Sequence, residues 1–112
     1  MITIFTTAKP FNNAKTATTQ KNAILSWKKS CPSAEIIIFG DDQGVAEFSR
    51  EFGVKNIPEI KKNDFGRPLL DSLFGSAKNF AKNNIIVYIS SDIILLTNFY
   101  QALKNKNIPL YI

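Results

Sequence analysis

Carboxylates that directly follow apolar runs are the residues of this sequence best suited to chemistry. Asp41 and Asp42 come after the run 35–39 (EIIIF), and Asp92 comes after the run 85–89 (IIVYI). One carboxylate of the Asp41–Asp42 pair can accept hydrogen bonds from a nucleobase or a ribose hydroxyl, as an acidic residue at a strand end does in dinucleotide-binding folds. Asp42 also has a structural alternative, because an aspartate in this position can cap the helix that follows.

Asp92 lies between two apolar runs, where a carboxylate is costly to bury without a partner. A divalent cation such as Mg²⁺ or Mn²⁺ would be such a partner, since these ions prefer oxygen ligands and often combine one or two carboxylates with phosphate oxygens. Ser90 or Ser91 could add a further oxygen. The structural alternative is that Asp92 is a turn or cap residue.

Arg67 is one of only two arginines and directly precedes Pro68, where a helix is predicted to begin. Its planar guanidinium group suits a contact with a base or a phosphate. The alternative is an ordinary surface arginine.

Composition removes several kinds of chemistry. The 112 residues include no histidine and a single cysteine, Cys31. These counts exclude His-based acid–base and nucleophile systems, an internal disulfide and a thiolate zinc site. Neither Gly-x-Gly-x-x-Gly nor Gly-Lys-Ser/Thr occurs, which disfavours a Rossmann dehydrogenase and a P-loop enzyme.

The net charge of +5 is concentrated in residues 1–32, which carry no acid and five lysines: Lys9, Lys15, Lys21, Lys28 and Lys29. A local positive field suits an anionic ligand such as a nucleotide diphosphate. The alternative is a solvated, lysine-rich helix face. Because arginines are few and aromatic residues are not interleaved with the lysines, we expect no nucleic-acid surface.

Strand and helix patterns alternate along the chain. Strands are predicted at 2–6, 35–39, 54–57, 85–89 and 108–112, and helices at about 17–29, 43–52, 68–82 and 97–104. This alternation is typical of a single α/β domain over residues 1–112, a Rossmann-like three-layer α/β/α fold with a mainly parallel sheet. No apolar run is long enough to cross a bilayer and no targeting segment is visible, so we expect a cytoplasmic protein with a reduced thiol.

The polar residues singled out above fall at the predicted carboxyl ends of strands. Thr6 and Thr7 end the first strand, 40–42 ends the second, and 90–92 ends the strand at 85–89. Ligands of parallel sheets bind at these strand ends. The sequence therefore predicts a ligand site at this edge of the sheet.

Five segments follow one another in an order found in a known family: 2–11 (ITIFTTAKPF), 20–27 (QKNAILSW), 35–41 (EIIIFGD), 65–74 (FGRPLLDSLF) and 88–95 (YISSDIIL). Together they resemble the N-terminal, nucleotide-binding half of GT-A-type glycosyltransferases, in particular family 2-like nucleotide-diphospho-sugar transferases. The resemblance covers essentially the whole chain. It implies binding of a nucleotide-diphosphate sugar.

The resemblance also implies roles for single residues. Thr6 and Thr7 would lie against the nucleotide at the end of the first strand. Asp41 or Asp42 would hold the base or the ribose. Arg67 would reach the nucleotide from the start of its helix.

The metal site of the family would be represented by Asp92, the remaining member of an Asp-x-Asp motif that binds Mn²⁺ or Mg²⁺. Ser90 stands where the first aspartate of the motif would be. We therefore expect a divalent cation that binds weakly or is absent.

Complete transferases of this family are much longer, because an acceptor-binding half follows the nucleotide-binding half. We therefore expect metal-assisted glycosyl transfer only if an acceptor half is supplied, an inactive isolated chain, and no assignable catalytic residue. The apolar strand at 108–112 would be an open sheet edge, which indicates a truncated protein or a homodimer formed through that edge.

Two alternatives remain at this stage. The first is a non-catalytic nucleotide-binding or protein-interaction module with the same fold. The second is a receiver-like signalling domain, which is disfavoured because the acidic pair follows the second strand instead of the first and a lysine–proline pair after the last strand is missing.

Overall fold

The computed structural model of the chain describes residues 2–59, 70–95 and 110–111. Strands and helices alternate through them in the order β1 (Ile2–Thr7), α1 (Ala14–Ser30), β2 (Glu35–Phe39), α2 (Val45–Phe52), β3 (Lys55–Ile57), α3 (Leu70–Phe80), β4 (Ile85–Tyr88) and β5 (Leu110–Tyr111). The predicted α/β alternation is confirmed. The predicted helix at 97–104 and the segment that contains Arg67 lie outside the described residues.

The strands form one sheet in the order β3-β2-β1-β4-β5, and each neighbouring pair is parallel. The chain first builds the sheet outwards from β1 through β2 to β3, and then returns to place β4 on the other side of β1. A doubly wound sheet of this kind has a crevice where the strand order reverses, between the carboxyl ends of β1 and β4.

Alternate strand residues face two separate apolar cores, because successive side chains of a strand point to opposite faces of the sheet. One core joins the sheet to α1 and α2 and includes Ile2, Ile4, Ile24, Trp27, Ile36, Ile38, Phe48, Ile85 and Val87. The other joins the sheet to α3 and includes Phe5, Ile37, Phe39, Leu73, Ala77 and Ile86. Helices therefore cover both faces, and the predicted three-layer, Rossmann-like architecture is confirmed.

Helix α1 begins three residues earlier than its apolar pattern predicts. The Asn13 side-chain oxygen accepts hydrogen bonds from the backbone N–H groups of Lys15, at 2.9 Å, and Thr16, at 3.2 Å. This N-cap satisfies two donors of the first turn, and it allows a polar segment to be helical without an apolar face.

Helix α1 ends where the sequence predicts, at Cys31 and Pro32. Cys31 is the C-cap, and its backbone N–H donates to the Trp27 carbonyl at 2.9 Å. Its thiol is free and buried, and burial raises the pKa of that thiol because the thiolate would lose hydration.

The helix-cap alternative for Asp42 is wrong. Helix α2 begins at Val45, its N-cap is Gly44, and no side chain caps it. Asp42 contributes its backbone carbonyl instead, which accepts from the Val45 N–H at 3.1 Å. The predicted end of this helix at Gly53 is confirmed, since Gly53 is the C-cap with φ of 70°.

Gly44 locks the loop after β2 to the loop after β1. Its φ is +84°, and a Cβ atom built on it would lie 2.6 Å from the Cβ of Phe11. The Phe11 backbone N–H donates to the Gln43 carbonyl at 2.7 Å. Only glycine combines this backbone conformation with this close approach.

Glu35 gathers a polar cluster at the amino edge of the sheet, opposite to the crevice. Its Oε1 accepts from the Thr3 hydroxyl and from the Lys82 backbone N–H, each at 2.8 Å, and its Oε2 lies 3.8 Å from Lys55 Nζ. These contacts connect β1, β2, β3 and the turn before β4. The cluster therefore ties the strands together at the edge away from the predicted site.

Candidate functional site

A cleft of about 290 Å³ lies at the carboxyl edge of the sheet, and we call it the β1–β4 cleft. Its described walls are the loop after β1, the first two turns of α1 and the segment after β4: Lys9, Lys15, Thr16, Thr19, Gln20, Ser90, Ser91 and Asp92. The cleft coincides with the reversal of strand order, where open α/β sheets bind ligands. Its volume lies just below the range of about 300–1,000 Å³ for ligand pockets, which suits the phosphate-bearing part of a ligand better than a whole one.

Helix α1 contributes four of these residues through its periodicity. Positions 15, 16, 19 and 20 lie on one side of the helix, because residues three and four apart are neighbours there. The charge distribution of the sequence points to the lysines, but not to Thr16, Thr19 and Gln20. The sequence feature that could have indicated them is a set of polar residues at helical spacing beside the lysines. It can be recognised only once the helix is known to begin at Ala14.

The described cleft residues carry more positive than negative charge. Lys9, Lys15 and Asp92 are all exposed, so two cations face the ligand space with one carboxylate. Two ammonium groups attract a phosphate. The carboxylate can accept from a hydroxyl group or bind a cation that the phosphate carries.

Three of the first four backbone amides of α1 are already engaged. Asn13 accepts from Lys15 and Thr16 through its side chain and from Ala17 through its carbonyl. An anion in the cleft would therefore be held by lysine and threonine side chains. This differs from a glycine-rich dinucleotide site, where amides at the helix N-terminus bind the pyrophosphate.

Replacing Asn13 with alanine is expected to lower the free energy of unfolding by about 1 kcal/mol, the usual cost of losing an N-cap. Urea denaturation followed by circular dichroism measures the change. Asn12→Ala is the matched control: Asn12 is also exposed but is not the cap, so its replacement should change stability by less than about 0.5 kcal/mol. Equal losses in the two variants would contradict the role of Asn13.

The segment after β4 is held against α1 by side-chain hydrogen bonds. Trp27 Nε1 donates to the Ile93 carbonyl at 2.7 Å, and Ser30 Oγ donates to the Leu95 carbonyl at 3.2 Å. The Leu95 N–H donates to Ser26 Oγ at 3.0 Å. These bonds attach Ile93 and Leu95, which follow Asp92, to α1.

The structure brings only part of the predicted site together. Asp92 lines the cleft with Ser90 and Ser91, as the strand-end argument expects. Asp92 is exposed, so the cost of burying its carboxylate does not arise.

The other predicted residues are not among the described cleft-lining side chains. Thr6 is 0% exposed, and its hydroxyl donates to the Thr7 carbonyl at 3.2 Å. Thr7 is half-buried. Asp41 and Asp42 follow β2, one strand away from the β1–β4 pair, and are exposed and half-buried respectively.

The described residues of the cleft offer few ligands for a metal ion. Within the part of the chain that the structure describes, no group of three or more His, Cys, Asp or Glu side chains could hold an ion. Asp92 is the one carboxylate among the described cleft residues, and Lys9 and Lys15 line the same space. These residues fit Mg²⁺ or Mn²⁺ only if phosphate oxygens of a ligand and water complete the coordination shell.

The chain is a small Rossmann-like α/β domain with a charged cleft where its strand order reverses. No protein-family model, curated protein or solved structure matches it. Among the described helices, none combines the length and the apolar character that a membrane span requires.

Proposed function

We propose that this chain binds a nucleotide-diphosphate sugar in a glycosyltransferase-like manner, with the diphosphate in the β1–β4 cleft. The observation that supports this most is the cleft itself, which Lys9, Lys15 and Asp92 line at the carboxyl edge of a doubly wound sheet. The resemblance of the sequence segments to the family supports the identity of the ligand.

The diphosphate lies on the lysine side in this proposal. Ammonium groups bind phosphate as point charges and hydroxyl groups add neutral donors. Lys15, Thr16 and Thr19 share one face of α1, so three donors reach the same ligand group.

The nucleoside extends from the cleft along the carboxyl edge towards β2. Thr7 ends β1 and is paired with Phe39, after which Asp41 and Asp42 follow. Asn56 Nδ2 donates to the Gly40 carbonyl at 3.1 Å and so holds the start of this loop. In the proposal, Asp41 or Asp42 accepts from the base or ribose, and Arg67 contributes from outside the described residues.

Asp92 holds a divalent cation together with the diphosphate in this proposal. When bound, the cation would neutralise the charge that develops on a departing diphosphate. Lys9 and Lys15 would stabilise the same charge directly. Transfer itself requires an acceptor surface, and no described residue is assigned as its base.

Nucleoside diphosphates and inorganic pyrophosphate are expected to raise the melting temperature, because a ligand that binds only the folded state stabilises it. Lys15→Gln should weaken binding about tenfold or more, since a hydrogen bond to a charged group contributes about 1.5–3 kcal/mol and 1.4 kcal/mol is tenfold. Thermal denaturation with uridine, guanosine and adenosine diphosphates and pyrophosphate measures the first effect, and titration of the same ligands by NMR measures the second.

Lys29→Gln is the matched control for this experiment. It removes the same charge from the same helix, but Lys29 lies in the last turn and not among the described cleft residues. Its binding should stay within about twofold of the wild type, because exposed charges that far apart are screened. Equal losses would indicate a diffuse field instead of a site, and no binding by the wild type would end the proposal.

A second candidate is a module that binds the nucleotide without transferring its sugar. The observation that favours it is the single carboxylate among the described cleft residues, with Ser90 two positions before Asp92. Manganese dependence separates the two functions. Binding that strengthens with Mn²⁺ and loses this gain in Asp92→Asn favours the transferase-like function, whereas binding that is indifferent to Mn²⁺ favours the module.

A further inference from the structure

Gln20 connects the two walls of the β1–β4 cleft. Its side chain is 2% exposed, and its amide makes three hydrogen bonds. The oxygen accepts from the Lys9 backbone N–H at 2.6 Å and from the Ser91 hydroxyl at 3.0 Å, and the nitrogen donates to the Lys9 carbonyl at 2.9 Å. A buried amide that is satisfied in this way has a fixed orientation.

Two of these bonds hold the backbone of Lys9 from both sides. Lys9 follows β1 by two residues and lies beyond its last ladder pair, Thr7 with Phe39. The Gln20 amide gives Lys9 the donor and the acceptor that a neighbouring strand would otherwise supply. The backbone that carries this lysine is thereby fixed to α1.

The third bond reaches the opposite wall. Ser91 directly precedes Asp92 in a turn closed by the Ile93 N–H and the Ser90 carbonyl at 3.1 Å. One side chain therefore connects the backbone of cationic Lys9 to the side chain of Ser91, the residue before the acidic one. Both residues line the ligand space.

The geometry points to Gln20 as the positioning residue of the cleft, which holds Lys9 and Ser91–Asp92 in the arrangement that binds the phosphate-bearing ligand. This inference rests on the proposed function. Gln20 acts through the two residues it holds. Binding groups must be held within about 0.5 Å of the productive geometry, and supporting hydrogen bonds of this kind provide that precision.

Only a neutral amide satisfies all three partners. In Gln20→Glu a carboxylate oxygen would replace the nitrogen that faces the Lys9 carbonyl, so that two acceptors would meet at 2.9 Å. In Gln20→Met the shape remains similar, but all three hydrogen bonds are lost. Ser91→Ala removes the bridge alone and leaves both bonds to Lys9.

A double-mutant cycle on the whole chain separates positioning from direct contact. Gln20→Met, Ser91→Ala and the double variant are titrated with inorganic pyrophosphate by NMR, under conditions where circular dichroism shows each to be folded. Each single change is expected to weaken binding about five- to tenfold, within the range of coupling in one hydrogen-bond network. The double variant should bind like Gln20→Met within about twofold, because Ser91 acts through Gln20.

Ser26→Ala is the matched control. It also breaks a hydrogen bond between α1 and the segment after β4, that of the Leu95 N–H with Ser26 Oγ, but Ser26 is not among the described cleft residues. A purely structural role for these bonds predicts the same affinity in Ser26→Ala and Ser91→Ala. Positioning predicts that Ser26→Ala binds like the wild type and Ser91→Ala does not.

Additive losses in the cycle would mean that Ser91 contacts the ligand directly. Unchanged affinity in Ser91→Ala would mean that its hydrogen bond to Gln20 does not contribute to binding. Either result overturns the inference while the proposed function stands. If Gln20→Met does not fold, the comparison of Ser91→Ala with Ser26→Ala carries the test, because Ser91→Ala removes the bridge and leaves both Gln20 bonds to Lys9. A wild-type chain that does not bind pyrophosphate overturns the proposed function and the role of Gln20 with it.

Discussion

Replacing Trp27 with alanine is expected to lower the free energy of unfolding by about 3–5 kcal/mol. The indole ring is fully buried in the core that joins the sheet to α1 and α2, and its Nε1 donates to the Ile93 carbonyl at 2.7 Å. Truncation removes the packing and leaves a carbonyl without its donor, and each effect is destabilising. For a domain whose total stability is of the order of 5–15 kcal/mol, this loss is large.

Urea denaturation followed by far-ultraviolet circular dichroism measures the loss, because Trp27 is the single tryptophan and its fluorescence disappears with it. Trp27→Phe is the control that keeps an aromatic ring and removes the donor. It should lose about 1–3 kcal/mol, the range for a buried group left without its hydrogen bond. An alanine variant no less stable than the phenylalanine variant would show that packing of the aromatic ring does not contribute to stability.

The sequence predicts the architecture well where apolar runs are continuous. Strand β2 has its predicted bounds, and β4 differs only at its last residue, because buried parallel strands read as nearly uninterrupted apolar segments. Helix starts are less predictable. The start of α1 depends on which of two adjacent asparagines becomes the cap, and the start of α2 depends on the left-handed backbone of Gly44.

The sequence predicts at which edge of the sheet the site lies, but it predicts less well which side chains line that site. Thr6 and Thr7 look equivalent in the sequence, yet alternation turns Thr6 into the core. Gln20 reads as one more polar helical residue, since its role depends on backbone groups that only the folded chain brings to it. Such tertiary contacts leave no local sequence signal.

Replacing Gly44 with alanine is expected to lower the free energy of unfolding by about 2–5 kcal/mol. Its φ of +84° is unfavourable for residues with a Cβ by about 1–2 kcal/mol, and the added Cβ would lie 2.6 Å from the Cβ of Phe11. Relieving such overpacking costs typically about 1–3 kcal/mol. The loops after β1 and β2 would have to separate, so the stacked rings of Phe11 and Phe48 would shift as well.

Gly75→Ala is the matched control for Gly44→Ala, measured by the same urea denaturation. Gly75 lies inside α3, and a Cβ built on it would have no atom of the other described residues within 4 Å, apart from its chain neighbours and the backbone of its own helix. Alanine should therefore stabilise the chain there by about 0.5–1 kcal/mol, through helix propensity. Opposite signs at the two glycines are the expected result. A destabilisation of similar size at both would contradict the role assigned to the contact with Phe11.

The position of β1 in the middle of the sheet has a consequence for the nascent chain, because one edge of β1 is unpaired during part of synthesis. During synthesis on the ribosome, β1, α1, β2, α2 and β3 all emerge before β4, which begins only at Ile85. Until then the β4-facing side of β1 has unpaired backbone groups, and such an open edge is prone to pair with other chains. A nascent chain that stalls before Ile85 would therefore expose an unpaired strand edge that is prone to aggregation, and chaperones would be needed to keep it soluble.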